Sequence, residues 1–97
     1  MTTENTSVGQ EIMRVAFSAN PKVKEYKEKF AKLFDEVSEM AMEIQNKIDT
    51  PPTIYSDETI KNHMEFIKKG EESIRCYAEA CKILEMSCMY VVKGITA

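Results

Sequence analysis

Apolar residues at alternating spacings of three and four occur in two runs, and this repeat constrains the chain more than any other feature. The first run is Val23, Tyr26, Phe30, Leu33, Val37, Met40 and Ile44; the second is His63, Ile67, Gly70, Ile74, Tyr77, Cys81, Leu84, Cys88, Val91 and Ile95. Such spacing keeps side chains on one face of an α-helix and produces a heptad seam. Between the runs stands Asp49-Thr50-Pro51-Pro52, which cannot continue a helix and turns the chain. Two seams joined by a short loop predict antiparallel packing. Asn20-Pro21 starts the first long helix, since Asn is a preferred N-cap and Pro is tolerated at the first helical position. Ser56 or Asp57 caps the second, which runs on to about Ile95; Gly70 inside it costs about 1 kcal/mol and predicts a bend.

Upstream, Gln10 to Phe17 reads as one short amphipathic helix, and residues 1–8 as a polar, flexible tail. With only three Gly and three Pro there is little material for a turn-rich β architecture. The expected fold is therefore all-α: one domain over residues 1–97, with a short N-terminal helix and a long antiparallel two-helix hairpin. In the last third, Ala80, Cys81, Ile83, Leu84, Met86, Cys88, Met89, Tyr90, Val91 and Val92 surround the helix axis instead of forming one stripe. A helix that is apolar all round is buried all round. A hairpin covers one side only, so the chain is expected to assemble as a homo-oligomer through this helix; the alternative is a monomer in which the first helix covers it.

The formal charge of −3 argues against a DNA or RNA polymer as partner, but the charges are segregated. Between Arg14 and Lys32, the six basic residues Arg14, Lys22, Lys24, Lys27, Lys29 and Lys32 face Glu25 and Glu28, a local net of +4. From Leu33 to Phe66, eight acidic residues face two lysines, a net of −6. A basic segment at one end of an acidic protein suits a small anion. Phe17, Tyr26 and Phe30 interleave with those lysines and offer π-faces for bases beside charges for phosphates, although taken alone the pattern reads more simply as core aromatics beside solvated lysines. No apolar run is long enough to span a membrane, and the opening residues lack the features of a signal peptide, so the protein is expected to remain where it is made.

Cys76, Cys81 and Cys88 lie in one helical stretch with no Cys-x-x-Cys pair and no histidine nearby, which predicts reduced packing thiols and no zinc site. Glu36, Glu39 and Glu43 share a helix flank and read more simply as a solvated face than as a metal site. Methionine is abundant, with Met40, Met42, Met64, Met86 and Met89 at or beside the seams. Core filling is its common role, and adaptable binding surfaces are the other. There is no nucleophile–base spacing, no Gly-rich phosphate loop and no metal-ligand pair, so neither catalysis nor a cofactor is expected.

The stretch from Arg75 to Ile95 resembles the C-terminal helix of the bacteriophage anti-CBASS cyclic-oligonucleotide sponge family. That pattern has an Arg, nine residues to a Leu, a small residue before a Met, then Val, a basic residue, a small residue and Ile. Arg75, Leu84, Met89, Val92, Lys93, Gly94 and Ile95 fit those places. Val23-Lys24 is similar to the Ile-Lys opening that family's long helix, and Leu33-Phe34-Asp35 follows at a similar distance. Together the likeness covers most of residues 20 to 95. It implies a small helical homo-oligomer, typically a hexamer, that sequesters cyclic di- and trinucleotide alarm signals in the host bacterial cytoplasm without turnover. It also implies Lys24 as a phosphate contact, the place on which the basic cluster agrees, with Lys22 beside it. Arg75 matches a family Arg associated with a separate trinucleotide site. The family usually carries a Gly-Tyr-basic motif ahead of the Ile-Lys, whose Tyr clasps the ligand; here the region reads Val8-Gly9-Gln10-Glu11. Either Phe17 or Tyr26 takes over the stacking, or the ligand preference differs.

Overall fold

A computed structural model describes residues 6–97 and shows four helical elements among them: α1 (Val8–Ile12), a 3-10 turn η1 (Val15–Phe17), α2 (Pro21–Asp49) and α3 (Asp57–Thr96). Local chemistry accounts for most boundaries. Ser7 and Gln10 form a reciprocal capping box, the Ser7 hydroxyl accepting from the Gln10 amide and the Gln10 side chain from the Ser7 amide, each at 3.1 Å. The Asn20 side chain accepts from the amides of Lys22 and Val23 at 2.8 and 3.3 Å, with Pro21 at the first helical position. Ser56 accepts from the Thr59 amide at 3.1 Å. At the far end of α2, Thr50 donates to the Asn46 carbonyl at 2.8 Å.

The single helix expected over Gln10–Phe17 is instead two pieces. Arg14 adopts a left-handed conformation with φ 56°, which ends α1 and restarts the chain as η1. The break has a packing reason. Residues two apart fall on opposite sides of an α-helix, yet Met13 and Val15 are both buried. Ser7 already belongs to the α1 cap, so the flexible tail expected up to residue 8 does not extend to it; positions 1–5 lie outside the described residues.

The long helices pack antiparallel, with Ser38 opposite Cys81 and the side chains of Ile44 and Ile48 against Gly70. All ten predicted seam positions of α3 are buried or half-buried. The seam of α2 is met in part: Val23 is buried, Phe30 packs against the core and Ile44 against Gly70, but Leu33 and Met40 each remain 45% exposed. Ala31 and Phe34, off the seam, are buried beside Cys88, with Ala41 half-buried further along. Small side chains at Ala31, Ser38 and Ala41 let neighbouring elements approach α2 there. Helix α3 runs uninterrupted through Gly70, whose role is close approach: a Cβ there would stand 2.9 Å from both Ile44 Cγ2 and Ile48 Cδ1.

Helix α1 lies across α2 near Ala31 and Asp35, on a different side of α2 from the Leu33–Met40 stripe. The core this arrangement builds is small: Met13, Val15, Val23, Ala31, Phe34 and Cys88. The molecule measures 60 × 32 × 12 Å with a radius of gyration of 18.3 Å, against about 13 Å for a compact chain of similar length. Its accessible surface is 7341 Å², where a compact monomer of this mass exposes about 5,700 Å².

Candidate functional site

The antiparallel hairpin brings the start of α2 and the end of α3 to the same end of the molecule, where α1 and η1 also sit. Most of the basic segment is gathered there. The left-handed turn at Arg14 keeps Val15 in the core while Phe17, at the other end of η1, is 78% exposed with the Arg14 guanidinium 5.4 Å from its ring centroid. Phe17, Arg14 and Lys24 share the wall of a concavity of about 410 Å³, into which Gln10, Glu11 and Glu28 also project. Its two cations are balanced by two carboxylates, so its potential is mixed.

A second concavity, of about 450 Å³, opens on the other side of Arg14. Its floor is apolar, made by Ile12, Met13, Cys88, Met89 and Val92, and its rim carries Arg14, Lys27 and Lys93 against Glu85 alone. The Lys27 ammonium donates to the Arg14 carbonyl at 3.3 Å, tying α2 to the turn. Burial pushes the Cys88 thiol above its ordinary pKa, an effect the positive charge of Lys27 partly offsets. Three cations over an apolar floor suit an anion with a flat hydrophobic body. Both volumes lie at the small end of the range for ligand pockets.

Of the five residues singled out from the sequence, Phe17 and Lys24 come together. Lys22 is exposed in the first turn of α2. Tyr26 is half-buried outside the Phe17–Lys24 concavity, its ring facing the Lys29 ammonium at 4.6 Å from the centroid. Arg75 stands elsewhere, paired with Glu72 at 3.0 Å on the exposed face of α3. In the observed helix register it is level with the stretch Ala41–Ile44, roughly 30 Å along the axis from Lys24.

Sequence reading did not single out Arg14, Lys27 or Lys93 as a set. Arg14 and Lys27 belong to the basic segment and Lys93 to the C-terminal pattern, but only the antiparallel hairpin makes them neighbours. Among the described residues no cluster of His, Cys, Asp or Glu is arranged to hold a metal ion. The three cysteines are free, Cys76 exposed and Cys88 buried. No described helix is long and apolar enough to cross a membrane. No protein-family description, curated protein or solved structure matches this chain.

Proposed function

We propose that this chain is a non-catalytic, oligomeric binder of cyclic di- and trinucleotides, and that by sequestering these immune signals it silences a bacterial CBASS-type antiviral defence. The observation that carries this reading is the meeting of the exposed Phe17 ring with Lys24 and Arg14 at the basic end of the molecule. An aromatic face for a base, beside cations for phosphate, is the minimal equipment for such a ligand. The adjoining concavity under Arg14, Lys27 and Lys93 extends that surface.

Lys24 contacts phosphate and Phe17 takes the stacking role left open by the missing Tyr, because it shares a concavity with Lys24 whereas Tyr26 does not. A cyclic dinucleotide presents two phosphates and two bases, more than either concavity engages alone, so the complete site combines walls from more than one subunit. Arg75, remote from this end, serves the separate trinucleotide site. The C-terminal half of α3 supplies the assembly surface: Ile83, Met86, Met89 and Tyr90 are exposed on it, and the resemblance sets the number of copies at six.

The competing reading is a helical adaptor whose ligand is another helix. It is favoured by the incompletely covered apolar stripe on α2, which includes Leu33 and Met40. A thermal-shift panel of cyclic di- and trinucleotides separates the two, since a ligand that binds only the folded state raises its melting temperature. Sequestration predicts a rise with at least one of them and recovery of that nucleotide intact after denaturation. The adaptor predicts no shift.

A further inference from the structure

The apolar stripe that the hairpin leaves half-covered on α2 has a symmetry of its own. Tyr26, Phe30, Leu33, Val37, Met40 and Ile44 follow one another at spacings of four and three, and the series reads the same from either end about Asp35. Tyr26 precedes Asp35 by as much as Ile44 follows it, and the same holds for Phe30 with Met40 and for Leu33 with Val37. Leu33 and Met40 are exposed and the other four half-buried, Phe30 against the core and Ile44 against Gly70 with one flank each, while Ala31, Phe34 and Ser38 carry further contacts to α1 and α3 on neighbouring faces. The α2 helix thus has two contact faces about a quarter-turn apart; the hairpin fills one and covers only the flank of the other, leaving Leu33 and Met40 exposed.

We propose that this stripe is a two-fold interface in which α2 packs antiparallel against α2 of a second copy, centred at Asp35. Leu33 then meets the partner's Val37, Phe30 the partner's Met40, and Tyr26 the partner's Ile44, each contact occurring twice, as an isologous interface requires. The flanking charges select the same partner and direction. On the solvent-facing edge of the stripe lie Lys29, Glu36 and Glu43, at heptad spacing. Antiparallel pairing sets Lys29 against the partner's Glu43 and Glu43 against the partner's Lys29. The same pairing sets Glu36 opposite its own copy at the two-fold, one like-charge contact against two of opposite charge, whereas a parallel pairing would lay the two basic first halves of α2 side by side. More broadly, the basic first half of α2 faces the acidic second half of its neighbour. In the single chain Lys29 is held by the exposed Glu25, at 3.2 Å, and lies over the Tyr26 ring, 4.6 Å from its centroid, weak contacts that are readily exchanged.

Area agrees with this occupant. The surface exceeds that of a compact monomer by about 1,600 Å², twice what one partner contributes to a standard interface of roughly 800 Å² a side. There is room for a pairing through α2 as well as one through the C-terminal half of α3. The α2 pairing keeps the two basic ends apart, because Lys24 falls beside the partner's Asn46. It makes no use of a nucleotide and stands whether or not the chain binds one.

Glu36 is the stripe-edge residue that lies nearest to its own copy, whereas Gln45 would be about 30 Å from its own. In the full chain with the exposed thiol removed by Cys76→Ser, Glu36→Cys should therefore give a covalent dimer with a short bis-maleimide, and Gln45→Cys should not. Adding Lys29→Glu should slow that cross-link about tenfold, and adding Glu43→Lys as well should restore it. Circular dichroism on each variant checks that the helices are intact. Absence of the Glu36→Cys dimer, equal cross-linking through Gln45→Cys, or no rescue by the paired charge reversal would overturn the proposal. Nucleotide titration of the same samples reports separately on the ligand.

Discussion

The amide of Gly9 donates to Asp35 Oδ1 at 2.7 Å, a contact that spans 26 residues of sequence and fastens α1 onto α2. It requires glycine, because a Cβ at position 9 would collide with the Ala31 carbonyl of α2, and a helix carbonyl cannot swing aside. This fastening holds Met13 and Val15 in the core and so sets the position of Arg14 and Phe17. Gly9→Ala should unseat α1 as a unit, and Asp35→Ala should cost about 1–2 kcal/mol through the lost charge-assisted bond. Hydrogen exchange is the check: amides of residues 10 to 18 should exchange much faster in both variants, while those at the centre of α3 change little. Unaltered exchange in Gly9→Ala would show that α1 is not held this way.

At Gly70 two effects of similar size oppose each other. Alanine would gain about 1 kcal/mol of helix propensity, yet its Cβ would sit 2.9 Å from Ile44 Cγ2, a branch fixed close to the α2 backbone. Overpacking of that kind costs about 1–3 kcal/mol, so Gly70→Ala should lower stability in denaturant titrations. In an Ile44→Ala background the clash is relieved, Ile48 Cδ1 being able to rotate away. There the same substitution should stabilise. A gain of stability from Gly70→Ala in the wild-type background would contradict the packing described.

Burial raises the Cys88 thiol pKa above 9.0, with Lys27 opposing the effect. Because the folded value exceeds the unfolded one, the contribution of the neutral thiol is complete below pH 9.0 and is lost as pH rises through the raised value. The stability difference between wild type and Cys88→Ala should therefore narrow on passing from pH 8 to pH 10. At pH 8 a thiol reagent should label exposed Cys76 first and Cys88 last. Lys27→Gln removes the opposing charge and should make Cys88 slower still.

The proposed assembly through α3 rests on side chains that the hairpin leaves outside. Val91 is half-buried and belongs to the seam facing α2, so a charge there would disturb the fold itself. Tyr90 and Ile83 are the cleaner probes, being exposed at 70% and 53%. Light scattering at micromolar concentration should give a multiple of 11.1 kDa for the wild type and a smaller mass for Tyr90→Glu or Ile83→Glu with helicity retained. A wild-type mass of a single chain would remove the assembly.

Much of the fold was legible because its determinants are local. The caps at Asn20 and Ser56 act within three residues, and the α3 seam is one stripe on one helix. Helix α2 was harder because it carries two adjacent stripes. Periodicity picked the one carrying Leu33 and Met40, of which Val23, Phe30 and Ile44 pack within the chain, but missed the neighbouring contacts of Ala31, Phe34 and Ser38. The break at Arg14 was invisible for a different reason: residues 10–17 are amphipathic as a helix, and only the burial of both Met13 and Val15 favours a left-handed residue between them. At the candidate site, Lys24 and Phe17 lie seven residues apart and could be paired on sequence grounds. The grouping of Arg14 and Lys27 with Lys93 depends on the hairpin register, which joins positions more than sixty residues apart.

Titration calorimetry of the wild type, Lys24→Ala and Arg75→Ala with cyclic di- and trinucleotides tests the functional proposal most directly. Removing one charge-assisted phosphate contact costs roughly 1.5–3 kcal/mol. Lys24→Ala should therefore weaken cyclic dinucleotide binding about ten- to a hundredfold with the oligomer intact, and Arg75→Ala should weaken trinucleotides selectively. Unchanged dinucleotide affinity in Lys24→Ala would remove the site assignment, and no heat from the wild type with any cyclic nucleotide would contradict the function.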